Sequence, residues 1–392
     1  MRMGLFLDAL TKVAKTDVLV VPLGGVSKYQ AGLDEQLVAS CKIIPTQGRE
    51  DTLFRFISRI QNPAERLSAF RSYGRSSLTA GLSAEVMKDI AAATEGQSYD
   101  LVHVGRTYLA EVGLAVGGSS LKTIDADEND ALVFQRQAAL ALASGDEYGS
   151  CLYAAEASAC ERHQLATLGQ FDRAFASSER EAQSLMPLPK TVDVVPNAVT
   201  RPHDLRRLDD GNTLLFVGSL SFWPNRDGLK WLVSEVWPSL ARVKPNLKLL
   251  IVGRDCPSDI RHLDSIPGIS VHADVASLDE IYSRATLAIV PLRAGGGTRI
   301  KLIEAALFGV PAVATRIGAE ELSFEDDREI WLATDAQEMV RRILFALDNP
   351  ALARELGARA QRLALANYGF EKVRDQLACI WKDLLAKNKL EI

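Results

Sequence analysis

From residue 213 onward the chain repeats one pattern: a short unbroken apolar run, then a longer amphipathic stretch. The runs are "TLLFVG" (213–218), "LKLLIVG" (247–253), "ISVHA" (269–273), "TLAIVPL" (286–292) and "PAVAT" (311–315), with "IWLA" beyond. Strand-length segments without polar alternation mark strands covered on both faces, as in parallel sheets. Residues 226–242, "LDEIYSRA" and "RIKLIEAALFG" (299–309) read as the helices between them. Strand alternating with helix requires an α/β fold with a doubly wound sheet.

The first half carries the same rhythm less cleanly. A helix is expected over 3–15, strands at "DVLVVPL" (17–23), "LVHVG" (101–105) and "LKTID" (121–125), and a weak one at "CKIIPTQ" (41–47). "FDRAFASS" and "TVDVVPNAV" follow, and "TRPHDLRRLDDGN" (200–212) reads as a polar linker. With 392 residues the chain is too long for one core. Two Rossmann-like doubly wound domains facing across a cleft are therefore expected.

Net charge is −5, which excludes the basic face of a nucleic-acid-binding protein. Five scattered cysteines form no C-x-x-C pair, so neither a disulfide framework nor a zinc site is indicated, and buried reduced thiols in a cytoplasmic protein are expected. Asp8 interrupts what would be a signal-peptide core, and no apolar run reaches the ~18–20 residues of a membrane span. Peripheral contact at the inner membrane face stays open.

"GGGTRIKLIEA" (295–305) carries the chemistry. It joins the carboxyl end of strand 286–292 to a helix, the edge at which doubly wound sheets bind ligands. Gly295, Gly296 and Gly297 let backbone N–H groups approach an anion, Thr298 adds a hydroxyl, and the helix start adds its positive dipole end. Arg299 and Lys301 add full charges. Glu304 lies about 7–8 Å further down the helix, within reach of ribose hydroxyls if a diphosphate sits at the start. The competing reading is a turn with solvated charges. Neither G-x-G-x-x-G nor G-K-[ST] occurs, so a dinucleotide dehydrogenase or a P-loop enzyme lacks its signature. Gly218, Ser219 and Arg226 in "FVGSLSFWPNRDG" and Arg254 in "VGRD" follow strands at the same edge, as does "RIGAEE".

Together "FVGSLSFWPNRDGLKWL", "LLIVGRD", "IVPLRAGGGTRIKLIEAALFGVPAVAT" and "GAEEL" resemble the GT-B glycosyltransferases, specifically the retaining GT4 family. The similarity is strong over 170–385 and thin before it. It implies transfer of a sugar from a nucleotide-sugar donor to a glycan or lipid-linked acceptor with retained configuration, without a cofactor or metal. It also implies an acceptor-side domain (1–200), a nucleotide-sugar-binding domain (201–365) and a terminal helix (366–392) crossing back to the first domain. Glu304 matches the second glutamate of the family's E-x7-E motif, which holds the donor ribose; the first falls at Gly296. Where the family has Gly-Arg and a nearby lysine, this chain has Ser219, then Arg226 and Lys230. Arg299 and Lys301 are the suggested substitutes.

His103 matches a histidine position of the family and Arg106 could reach phosphate or acceptor, although a lone strand histidine is more often a packed core residue. Asp125, Asp127, Glu128 and Asp130 could bind a metal, but a solvated loop or helix cap is the plainer reading. Trp223 and Trp237 read as packing residues. GT4 proteins begin with a strand and a glycine-containing loop ahead of the first helix. Here the helix comes first, so either that central strand is missing or "DVLVVPLGG" (17–25) supplies it. Three functions compete: an active transferase for surface polysaccharide or glycolipid, a catalytically impaired nucleotide-sugar-binding or scaffold protein, and a nucleotide-sugar epimerase of the same fold.

Overall fold

The computed structural model describes residues 2–23, 37–117, 121–185, 189–200, 207–295 and 297–388. The chain divides into two compact units, Met1–Pro196 with Arg374–Ile392, and Asn197–Val373.

The second unit follows from its apolar runs. Its strands are β7 (Thr213–Val217), β8 (Lys248–Gly253), β9 (Ile269–Ala273), β10 (Leu287–Val290), β11 (Ala312–Thr315) and β12 (Trp331–Ala333). All pairings are parallel, and the order is β9-β8-β7-β10-β11-β12. This is the 3-2-1-4-5-6 order of a doubly wound sheet. β7, β10 and β11 are buried at every residue, because helices cover both faces. Core clusters lie on the two sides, one built around Leu215, Val290 and Ile303, the other around Phe216, Trp237 and Trp331. The helix expected over 226–242 runs from Trp223 to Val243 with a π-turn at Leu232–Val236. Pro238 follows that turn and has no N–H to donate backward, so the helical ladder is interrupted there.

In the first unit, "DVLVVPL" and "CKIIPTQ" do form strands. β1 (Asp17–Val20) pairs in parallel with β2 (Ser40–Ile43). A separate four-stranded parallel sheet has the order β3 (Leu101–Gly105), β4 (Leu121–Asp127), β5 (Arg173–Ala176), β6 (Val192–Val194). The opening helix, Arg2–Thr11, buries Leu5, Phe6 and Ala9. The glycines of the 17–25 alternative, Gly24 and Gly25, lie outside the described residues, as do residues 201–206 of the linker. The thiols depart from expectation: Cys41, Cys151 and Cys379 are exposed, Cys256 is half-buried, and Cys160 alone is buried. No described helix is long and apolar enough to cross a membrane.

Candidate functional site

At the carboxyl edge of the second unit's sheet, the ends of β7 and β8 come close because glycine occupies both. A Cβ on Gly253 would lie 1.8 Å from the Gly218 carbonyl oxygen, and one on Gly218 would lie 2.8 Å from both Asn225 Nδ2 and Lys301 Nζ. The space a side chain would fill at Gly218 thus brings an amide and an ammonium together. Lys301 Nζ donates to Asn225 Oδ1 at 2.6 Å, and Asn225 Nδ2 donates to the Ser219 carbonyl at 2.8 Å. The ammonium also sits 4.4 Å from the centre of the Phe216 ring. Desolvation, reinforced by the charge of Arg299, pushes the Lys301 pKa down to about 7.

The glycine loop reaches this cluster from β10. Gly295 has φ 119° and Gly297 φ 71°, left-handed conformations that a side chain would strain. Gly296 lies outside the described residues. The helix that follows, Ile300–Leu307, is apolar on its inner side and presents Lys301 and Glu304 three residues apart on one face. Glu304 Oε2 accepts from the Tyr282 hydroxyl at 2.9 Å. Burial raises the Glu304 carboxyl above its ordinary value, and the tyrosine's bond and Lys301's charge oppose that rise. The Thr298 hydroxyl is buried without a hydrogen-bond partner among the described residues. Such a group calls for a ligand acceptor or a water.

Arg299 corrects the expectation of an open phosphate cation. The residue is 5% exposed, and its guanidinium donates to the carbonyls of Gly297 (2.7 Å), Gly295 (3.1 Å) and Ile317 (3.2 Å). It fastens the glycine loop to the segment after β11. Arg226 is likewise occupied: with Lys230 it grips Asp259, each at 2.7 Å. The Arg226 hydrogen bond, then that of Lys230, holds the Asp259 carboxyl well below the usual carboxylate range. Ser219 is exposed with its hydroxyl 3.1 Å from that of Ser221, and Arg254 is exposed after β8. The structure therefore gathers Gly218, Thr298, Lys301 and Glu304 with their surroundings and sets Arg226 in a separate ion cluster. Asn225 and Tyr282 were not singled out by sequence. "WPNRDG" holds the only hint of the first, and "LDEIYSRA" none of the second.

The candidates of the first unit have other employment. His103 stacks on Phe6 (centroids 5.0 Å) and meets Trp381 and Phe175 edge-on. Its Nδ1 is 2.9 Å from Thr123 Oγ1, and its Nε2 is buried with no partner among the described residues. Desolvation, helped by the charge of Arg2, pushes its pKa down to about 3. It is a neutral packed ring, and the reading of His103 as a cleft-facing catalytic group is corrected.

Arg106, at φ 112°, follows β3 and pairs with Asp127 at 2.9 Å, itself at φ 56° beside the bulge in β4. Asp125 is fully buried against Arg2, which approaches to 2.7 Å, and Asp130 accepts from Thr107 at 2.6 Å. Two arginines and a hydroxyl thus hold the acidic cluster in place of a solvated loop. Asn129 caps the helix that follows.

Residues 211–349 match the model of the family Glycosyl transferases group 1. An uncharacterized 44.6 kDa protein in the cps region of Klebsiella pneumoniae is 26% identical over 45% of this chain and 47% of its own. Trehalose synthase of Pyrococcus horikoshii is 24% identical over 35% of this chain and 36% of its own. The chain thus spans half or less of the curated relatives it matches. Among solved structures, sucrose-phosphate synthase of Thermosynechococcus elongatus superposes with a TM-score of 0.69 at 18% identity, over 98% of this chain and 93% of that one. Anabaena HepE in complex with UDP and glucose gives 0.64 at 14%, over 96% and 95%. The fold is GT-B, and residues 211–349 are similar to the group 1 glycosyl transferases.

Proposed function

We propose that the chain is a retaining glycosyltransferase that moves a sugar from a nucleoside-diphosphate sugar to a glycan or lipid-linked acceptor. The observation that carries this reading is the grouping of Lys301, Glu304 and the Thr298 hydroxyl, which has no partner among the described residues, behind a left-handed glycine loop. Lys301 and the loop amides suit a departing diphosphate, whose negative charge grows as the sugar–phosphate bond breaks. Glu304, oriented by Tyr282, suits the ribose hydroxyls of the same nucleotide. In a front-face transfer the leaving phosphate itself helps take the acceptor proton, so retention needs no nucleophilic carboxylate at the sugar. Surface polysaccharide or glycolipid synthesis is the setting that the cps-region relative favours.

A second reading, a nucleotide-sugar-binding protein without turnover, is favoured by Gly296 where the E-x7-E motif has its first glutamate and by the engagement of Arg226 and Lys230 with Asp259. One measurement series separates these readings from each other and from the epimerase. Thermal shifts with UDP, GDP, ADP and CMP come first, with NAD as the control, followed by turnover of the matching nucleotide sugars with and without acceptor. A ligand at a hundred times its Kd adds about 2.7 kcal/mol. A clear shift is expected with a nucleoside diphosphate and none with NAD. Equal shifts with NAD, or none with any diphosphate, would remove the site. Donor bound but never consumed would leave the second reading.

A further inference from the structure

Asn225, in the first turn of the helix Trp223–Trp231, is 5% exposed. A buried amide is costly unless its polar atoms are bonded. Both ends of this one are: Nδ2 donates to the Ser219 carbonyl at 2.8 Å, and Oδ1 accepts from Lys301 Nζ at 2.6 Å. The two bonds fix the orientation of the amide. Turned over, it would set its own N–H groups against an ammonium and its oxygen against a carbonyl, and lose both bonds.

The ammonium depends on this one amide. Among the described residues Asn225 Oδ1 is its only hydrogen-bond acceptor, and no carboxylate pairs with it. The Phe216 ring attracts the cation from 4.4 Å. Glu304 accepts from Tyr282 and acts on Lys301 through its charge, which favours the ammonium, while burial and the charge of Arg299 oppose it. An ammonium has three donors, so with one taken by Asn225 two are left for a ligand. Lysine carries its charge on a flexible stem, and a fixed ammonium therefore needs a fixed acceptor.

The surroundings keep that acceptor in place. Two residues along the same helix, Asp227 takes Arg293 from the loop after β10, with Arg293 Nε at 2.9 Å. A Cβ on Gly228 would stand 2.6 Å from the Pro291 carbonyl oxygen, so this helix start is packed against the backbone that leads into the glycine loop. Arg226 and Lys230 show the alternative on the same helix: both are paired with the Asp259 carboxylate. A carboxylate competes with a diphosphate for the cation it holds. A neutral amide fixes the lysine and leaves its charge to the ligand.

We propose that Asn225 is the positioning residue of this site: its amide fixes the Lys301 ammonium beside Gly218 and keeps two of its N–H donors for a diphosphate. The identity of the ligand rests on the nucleotide-sugar reading above, whereas the hold of Asn225 on Lys301 can be measured without any ligand.

The test uses the full chain with Asn225→Leu, Asn225→Asp and, as a control on the same helix, Asp227→Asn. NMR of the lysine side chains in the ligand-free protein reads the titration midpoint of Lys301, with Lys301→Met identifying its signal. Calorimetry with UDP, GDP and ADP reads affinity. Asn225→Leu removes the acceptor and should lower the midpoint; a variant that merely loosened the site would let it rise toward the ordinary lysine value. Asn225→Asp should raise the midpoint by about one pH unit or more, as an opposite charge at this distance does. Both should weaken binding of the nucleoside diphosphate, Asn225→Leu by roughly tenfold or more. Asp227→Asn should leave midpoint and affinity nearly as they are. One midpoint shared by the unaltered chain and both Asn225 variants would overturn the proposal, as would an equal loss of affinity from Asp227→Asn. If the unaltered chain binds none of the three diphosphates, the nucleotide reading fails, and the midpoints alone decide whether Asn225 fixes Lys301.

Discussion

In the second unit β7 has a neighbour on each side and all five of its residues are buried; in the first, β1 has one neighbour among the described residues and none of its residues is fully buried. The two strands have comparable apolar sequences, "TLLFV" and "DVLV". Their burial differs because a strand's hydrophobicity is satisfied by the layers around it, and among the described residues β7 is flanked and covered on all sides while β1 pairs with β2 alone. Stability is expected to be uneven in the same sense, since opening follows local contact density.

The largest effect should come from Trp331→Ala. Trp331 is 1% exposed in the β12 core, and such truncations cost about 3–5 kcal/mol. Leu19→Ala, in the half-covered β1, should cost clearly less. Denaturant unfolding followed by amide exchange in each unit checks the pair, and equal losses would break the contrast.

Next comes the division of labour between the units. Glu304→Gln should weaken nucleoside-diphosphate binding by tenfold or more, since a hydrogen bond to a charged group contributes about 1.5–3 kcal/mol. Arg106→Ala, in the first unit, should leave that affinity nearly unchanged. Titration calorimetry with the diphosphate that gives the largest thermal shift reads both, and a similar loss from Arg106→Ala would show that the nucleotide site is not confined to the second unit.

The smallest effect concerns pH. Desolvation, with the charge of Arg299, pushes the Lys301 pKa down to about 7 from an ordinary value of 10.5. Between those values the unfolded chain holds a proton that the folded one lacks, so this group's contribution to stability rises with pH across that window. A bound diphosphate favours the ammonium and raises the pKa. Binding above pH 7 should therefore take up a proton, and affinity should fall by at most about tenfold per pH unit as pH rises. Calorimetry in buffers of different ionisation enthalpy measures the proton uptake, and Lys301→Met should abolish its pH dependence.

Sequence made the second unit legible because its runs from "TLLFVG" to "PAVAT" are buried on both faces, and burial of that kind leaves no polar alternation to confuse the reading. It also brought Lys301 and Glu304 to one helix face, since three residues is local geometry. What it could not show depends on distant partners. Arg299 looks like a phosphate ligand until its guanidinium is seen on the carbonyls of Gly295, Gly297 and Ile317. His103 looks exposed at a strand end until Phe6 and Trp381, from opposite ends of the chain, close over it. Asp259 gave no sign that it would hold Arg226 and Lys230. β2 was weak in sequence because all four of its residues are exposed, so pairing with β1 alone defines it.

The ring of Trp381 has a consequence for biosynthesis. It is fully buried against Phe6, His103 and Phe175, so these residues wait for one that is made long after them. The second unit, Asn197–Val373, is complete before Trp381 leaves the ribosome. Chains grow at about 5–20 residues per second, so the aromatic cluster of the first unit stays unclosed for roughly ten seconds or more after Phe175 is made. Order of synthesis and order of completion are reversed in this molecule. A nascent chain whose Trp381 is still inside the ribosome would carry an N-terminal unit open to chaperones and proteases.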